Sequence, residues 1–316
     1  MKNFYFKQKN GYLESIQKGI DAVRTYDLRE SRGIGTREEQ IARLRKELDT
    51  ADAIVCGAGA GLSTAAGVEY TGKRFTDNFG DFIEKYSMKD MYSSGFYPFK
   101  TPEEKWAYWA RHIDVNRYQV GETDVYKKLL KLVEDKDYFV LTTNVEHQFW
   151  INGFADERIF ATQGDYSLFQ CSEACHDKLY YNEGQVKEMV EKTVDCKIPS
   201  DLVPKCPVCG AEMETNLRKD NLFVEDEKWH EANKRYMDYL DKIKGKNVVF
   251  LEIGVGFNTP VIIRYPFEQM TYDNPNATLI RLNKDYADAI KENKSKTISF
   301  DENVEEILDY WLSRVF

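Results

Sequence analysis

Four cysteines, a glycine-rich turn and a handful of carboxamides and carboxylates hold most of the chemistry this sequence can do. Cys171 and Cys175 are spaced C-x3-C, and Cys206 and Cys209 are spaced C-x2-C with Gly210 following. Each pair suits a tight knuckle that aims two thiolates at one ion, and two knuckles complete the tetrahedron that zinc prefers. The 30 residues between the pairs exceed the usual ribbon spacing, so a stretch including Cys196 must loop out. The competing reading is four unrelated buried cysteines. His176, beside Cys175, is a candidate replacement ligand, but four thiolates already close a structural site with no open position for catalysis.

The loop GAGAGLSTAAG (57–67) follows a short apolar run, AIVC (53–56), and opens a helical stretch. Strand, glycine turn and helix begin a nucleotide-binding α/β fold. Taken alone, the loop is equally a tight turn. Its G-x-G-x-G spacing is not the dinucleotide fingerprint, and no acidic residue ends the next strand to hold an adenosine ribose. An ordinary dehydrogenase is disfavoured.

The elements that must position these residues are legible from periodicity. Thr36 followed by Glu39 fits a capping box, and Ile41, Leu44 and Leu48 recur at helical spacing. Tyr138–Thr142, Val248–Ile253 and Thr278–Leu282 read as buried parallel strands, with helical patterns at 125–135 and 223–243 between them. This alternation predicts an α/β fold, a doubly wound, Rossmann-like parallel sheet. The segment 166–225 breaks the rhythm and reads as an inserted zinc-ribbon module. The expected division is an N-terminal extension (1–36), a nucleotide-binding domain (37–165 and 226–316) and the zinc module (166–225).

Bulk properties exclude other classes. The chain has 316 residues, 42% hydrophobic and 31% charged, long enough for one α/β domain with an insertion. Its 20 Tyr and 18 Phe need a core and argue against disorder. A net charge of −9 makes it a poor partner for a phosphate backbone, so no nucleic acid is expected. No run approaches the roughly 20 apolar residues that span a bilayer. The N-terminus lacks the apolar core of a signal peptide. Paired cysteines in such a chain read as metal ligands, so the expected setting is cytoplasmic, away from membranes.

Five segments together resemble the sirtuin family. GAGLSTAAG (59–67), TTNVEH (142–147), QGDYSLFQC (163–171), IGVGFNTP (253–260) and LIRLN (279–283) stand in the order of the sirtuin GAG-I-S loop, T-Q-N-I-D segment, H-G-S motif, G-T-S strand end and late Asn. The resemblance covers roughly residues 40 to 310. It implies NAD bound across the carboxyl ends of the strands, with nicotinamide in a small polar pocket. It also implies that Gly59, Ala60, Gly61 and Ser63 approach the diphosphate, and that Thr143, Asn144 and Glu146 serve the nicotinamide side. Gly254, Gly256 and Asn283 would line the adenosine half. Glu146 stands where sirtuins usually have Asp.

Three departures decide the expected chemistry. The H-G-S histidine is Gln163, the I-P-D-F-R loop is replaced by VEYTGKRF (68–75), and the F-G-E region reads NLRKDNLFVED (216–226) with Arg218 in it. A sirtuin deacylase uses that histidine to deprotonate a ribose hydroxyl. A carboxamide orients hydroxyls but cannot take the proton, and general-base catalysis is worth about 10²–10⁴-fold. ADP-ribosyl transfer needs no such proton, because a nucleophile attacks the carbon that nicotinamide leaves. The departure set resembles the macrodomain-linked sirtuins of bacteria, which are associated with mono-ADP-ribosylation of a lipoylated carrier protein of the glycine-cleavage type. That resemblance implies an NAD-dependent protein mono-ADP-ribosyltransferase with Asn144, Gln163 and Arg218 catalytic, Tyr70 and Arg74 in the cofactor loop, and a macrodomain hydrolase as associate. The alternatives are a deacylase with His147 as substitute base, an NAD glycohydrolase, and an NAD-responsive binding module. His112 and His230 are expected at the surface, and the aromatic runs 92–99 and 106–111 in the core.

Overall fold

The computed structural model describes residues 34–257 and 260–313. Most of the expected N-terminal extension, residues 1–33, lies outside them.

The chain opens on helix α1 (Arg37–Thr50), closed at its start by the expected capping box: the Thr36 hydroxyl accepts from Glu39 N, and Glu39 accepts from Thr36 N at 2.7 Å. Strand β1 (Ala53–Ala58) and the six-residue helix α2 (Ala60–Ala65) follow. Helices α3 (Gly72–Tyr86), α4 (Met91–Ser94) and α5 (Pro102–Ile113) come next, with α5 running into a π-turn at Asp114–Tyr118. After helix α6 (Asp124–Val133) come β2 (Tyr138–Thr142), the single turn α7 (Gln148–Ile151) and β3 (Ile159–Ala161). The insertion holds β4 (Gly164–Cys171), β5 (Tyr180–Tyr181), helix α8 (Glu183–Glu191) and β6 (Met213–Leu217). Helix α9 (Glu227–Lys242), β7 (Val248–Ile253), α10 (Arg264–Asp273), β8 (Ala277–Leu282), β9 (Thr297–Phe300) and α11 (Val304–Leu312) complete the chain.

Six strands form one parallel sheet in the order β3-β2-β1-β7-β8-β9, and β5-β4-β6 form a small antiparallel sheet. The strand order reverses between β1 and β7, the switch point where doubly wound sheets open a crevice. Register aligns the strand ends: Ala58 pairs with both Thr142 and Ile253, and Ile253 with Leu282. Gly59, Thr143, Gly254 and Asn283, the next residue on each strand, therefore stand in one row. Strands buried on both faces explain the continuous apolar runs.

Helices α1, α6 and α11 cover one face of the sheet, with Leu44, Leu129, Ile307 and Leu308 packed on Val140, Leu251 and Ile280. Helices α9 and α10 cover the other through Tyr236, Tyr239, Ile263 and Phe267. The packing also crosses residue 165. A second core joins Phe75, Phe79, Phe82, Trp106 and Tyr108 from α3 and α5 to Tyr166, Phe169, Val186 and Met213 of the insertion. The aromatic surface of α3 and α5 finds its partner in the small sheet, not the large one. Trp106, Tyr108 and Trp109 are buried as expected, but Tyr92 and Phe96 are exposed, so the 92–99 run is not wholly core.

A candidate NAD site at the strand ends

The two glycine turns meet backbone to backbone. Gly59 N donates to Ile253 O at 3.0 Å and Gly61 N to Gly254 O at 2.9 Å. A Cβ on Gly61 would come within 2.6 Å of the Gly254 Cα, and Gly254 itself has φ +61°. Glycine at 61 and 254 is thus required by the approach of the turns to one another. Ala60 is exposed at the head of α2 and Ser63 is buried one turn on, while Gly256 has open space about it.

Beyond β2 the site becomes polar and buried. Asn144 Nδ2 donates to Gly59 O at 3.1 Å and to Tyr126 Oη at 3.3 Å, which turns its Oδ1 outward with no bond from any described residue. Tyr126 reaches in from α6 and donates to Glu146 Oε1 at 3.0 Å, and Ser63 Oγ donates to the same oxygen at 2.6 Å. Burial raises the Glu146 carboxyl above the ordinary carboxylate range, against the hydrogen bonds from Ser63, Tyr126 and the backbone. Thr143 N donates to Ala58 O, tying this segment to β1. Across the row, Asn283 Nδ2 donates to Val255 O at 2.8 Å and its Oδ1 accepts from Tyr286 N at 3.0 Å, fixing the turn after β7.

The Gln163 segment runs beside the Asn144 segment, held by Thr162 N to Thr142 O at 3.0 Å and Tyr166 N to Val145 O at 2.9 Å. Gln163 is buried, and its carbonyl accepts from Arg218 N at 3.0 Å. Gly164 has φ +95°, and a Cβ there would strike Asn216 O at 1.8 Å, so only glycine makes this turn. The Arg218 guanidinium pairs with Glu225 at 2.5 Å and lies 4.2 Å over the Phe223 ring. A charge already balanced in this way is less available to steer an acidic acceptor than the sequence suggests.

Tyr70 and Arg74 stand in the 68–75 loop, where burial and the Glu146 charge raise the Tyr70 hydroxyl. Arg74 donates to Glu69 O, Val115 O and Asn116 Oδ1 at 2.6–2.9 Å, so three of its bonds anchor the 68–75 loop. His147 has φ +67°, stacks on Trp150 with centroids 4.4 Å apart, and bonds Asp165 through Nδ1. Burial alone would raise the Asp165 carboxyl, but His147 and Ser167 hold it below the usual range. His112 overturns its expected surface position. It is 2% exposed, and burial together with the Arg74 charge pushes it down to about 3. Its helix is amphipathic about a second core that the local sequence does not reveal. His230 is at the surface, its side chain 60% exposed.

The four cysteine sulfurs lie within 4.8 Å of one another, with Cys171–Cys209 at 3.6 Å and Cys175–Cys206 at 3.7 Å. Zinc–sulfur bonds of about 2.3 Å in a tetrahedron put sulfurs roughly 3.8 Å apart, so the donor set fits zinc. His176 Nε2 sits 3.4 Å from Cys206 Sγ, as a neighbour of the sulfur group. Cys196 is buried in the second core, outside the sulfur group, as the looping-out predicts. Among the described residues no helix is long and apolar enough to cross a membrane.

No family model matches the chain. Solved structures with the same fold include a Sir2 homolog–NAD complex, with a TM-score of 0.56 and 15% identity over 89% of this chain and 94% of that one. Another is Sir2Tm bound to a propionylated peptide, with a TM-score of 0.54 and 16% identity over 86% of this chain and 97% of that one. The fold is that of the sirtuins, a parallel sheet with a small second module. A protein ADP-ribosyltransferase of Staphylococcus aureus (strain Mu50) is 38% identical over 271 residues, 85% of this chain and 86% of its own length. A probable bifunctional ADP-ribose hydrolase/ADP-ribosyltransferase of Fusarium oxysporum f. sp. cubense is 29% identical over 74% of this chain, which spans 40% of that relative. The chain belongs to the sirtuin-type protein ADP-ribosyltransferases.

Tyr126, Asp165, Tyr166 and His112 are the site-bordering residues that the sequence reading missed. Only Asp165, two residues past Gln163, had a local signal.

Proposed function

We propose that this chain transfers ADP-ribose from NAD to a protein acceptor and releases nicotinamide. The observation that carries the reading is Gln163, a carboxamide buried beside the Asn144 segment where a deacylase needs a base. In this reading Asn144 offers its Oδ1 to a ribose hydroxyl or ordered water, and Gln163 orients the ribose. The Ser63–Glu146–Tyr126 cluster borders the nicotinamide pocket. Nicotinamide leaves with the electrons of the glycosidic bond, and a carboxylate or similar nucleophile forms the new bond to the same carbon. Gly59, Gly61, Gly254 and Asn283 shape the floor under the rest of the dinucleotide, and the four cysteines hold a structural zinc. Arg218, balanced by Glu225, orders the acceptor side.

An acceptor of the lipoylated glycine-cleavage carrier type fits the resemblance to macrodomain-linked sirtuins. The fungal relative's name, which joins an ADP-ribose hydrolase to the transferase, supports a hydrolase associate. Six free cysteines, four of them clustered as metal ligands, support a cytoplasmic setting.

Labelled NAD incubated with a cell lysate tests the proposal beside Gln163→Ala and an acetyl-lysine peptide. Label on a discrete protein band, lost in the variant and without deacylation, is expected. One observation favours a second reading: His147, oriented by Asp165, accepts no other bond among the described residues at its Nε2 and has the form of a base. Peptide deacylation that disappears in His147→Gln would establish that reading in place of transfer.

A further inference from the structure

A chain of neutral groups runs from the 68–75 loop into the second core. Tyr70 Oη lies 2.7 Å from Tyr166 Oη, which lies 2.9 Å from His112 Nε2. His112 Nδ1 lies 3.2 Å from Tyr108 Oη, and Tyr108 ends the chain on Met91 O at 2.6 Å. The direction of every bond follows from that last one. A carbonyl only accepts, so Tyr108 donates to it and accepts a hydrogen bond from His112 Nδ1–H. Nε2 is then an acceptor for the Tyr166 hydroxyl, and the Tyr166 oxygen accepts from the Tyr70 hydroxyl. His112, pushed down to about 3, stays neutral, so the order persists at any pH near neutrality.

The same loop is tied at its backbone. Met91 N donates to Tyr70 O at 2.8 Å, and Arg74 joins the loop to Val115 and Asn116. No side chain of the Tyr166–His112–Tyr108 series bonds Asn144, Glu146 or Gln163. Its side chains reach the loop through Tyr70, and the Tyr166 backbone N joins Val145 O of the Asn144 segment.

We propose that Tyr166, His112 and Tyr108 are positioning residues for NAD, holding residues 68–75 in the binding arrangement before the dinucleotide arrives. The inference rests on the NAD-dependent transfer proposed above. A loop that is already ordered costs nothing to order on binding, whereas a freed loop is competent only part of the time, which weakens apparent affinity. Such a loss falls on ground state and transition state alike, so KM rises while kcat holds.

The experiment measures Kd for NAD by calorimetry, kcat and KM for nicotinamide release, and Tm, in wild type, Tyr166→Phe, His112→Leu and Tyr108→Phe. Tyr166→Phe and His112→Leu are expected to raise Kd and KM roughly five- to tenfold with kcat within about twofold. His112→Gln, whose amide can both accept and donate, is expected to recover most of the affinity. Tyr108→Phe, which keeps its ring in the core and folds if the others do not, should show the same split more weakly. Unchanged Kd for NAD in folded Tyr166→Phe and Tyr108→Phe overturns the inference, as does a fall in kcat at constant KM. Wild-type protein that does not bind NAD would remove the proposed function itself, a different failure visible before any variant is made.

Discussion

Two buried polar networks flank the strand ends, and they are built on opposite principles. On the β7–β8 side, Arg281 makes a bidentate pair with Glu252 at 2.8 and 2.9 Å and also reaches Glu268 at 2.8 Å. Arg264 grips both oxygens of Asp288 at 3.0 Å. All five charges are buried, three negative against two positive. Below the 68–75 loop, the Tyr70–Tyr166–His112–Tyr108 series carries no charge. The ionic network is stiff and costly to disturb, since losing one member strands the others in low dielectric. The neutral series is ordered by donor direction alone, so each link can be cut at modest cost. In the proposed arrangement, the adenosine part of NAD lies over the ionic network and residues 68–75 over the neutral series.

Experiments can break this contrast in order of expected effect. Removing the metal should do most damage, because Cys171 ends the same strand, β4, that carries Tyr166, while Gln163 immediately precedes it. Chelation is expected to abolish NAD binding and lower Tm sharply, with zinc content and circular dichroism as readouts; binding that survives complete zinc loss would uncouple the module from the site. Arg281→Met comes next, with about 3–5 kcal/mol of stability lost in urea unfolding, since it leaves Glu252 buried without its bidentate partner. A loss under about 1 kcal/mol would mean the ionic network is no stiffer than the neutral one.

The neutral series should respond to acid. Because the folded pKa of His112 is depressed, its contribution is complete above the ordinary histidine value near 6.5 and is lost as pH falls toward about 3. Wild type should lose a few kcal/mol more than His112→Gln across that window, and parallel curves for the two proteins would deny it. Tyr108→Phe is the smallest change, about 1 kcal/mol, read by the same unfolding curves.

What was legible in the sequence follows the same division. The strand ends, the glycine turns and the cysteine knuckles are local patterns, and the structure places Gly59, Thr143, Gly254 and Asn283 in one row as their strands require. β3 and β9, at three and four residues, are too short to show a period. The second core was hidden because its halves, near 75–115 and 166–213, are separated by two strands of the large sheet. Tyr126 and His112 were hidden for a related reason. Each sits on a helix whose apolar stripe explains it locally as core or surface, and only tertiary packing brings its polar atom to Glu146 or Tyr166. The sequence pointed to the residues carried by resemblance but not to Tyr126 and His112, which pack against their segments.

The interlocked glycine turns have one more consequence. With Gly61 and Gly254 in backbone contact, no water-sized gap separates the two halves of the floor at the switch point. Solvent cannot seep up through that seam toward a ligand lying on it. In the proposed transfer, an acceptor docked over the open side of the strand ends would also shield the ligand from water arriving there.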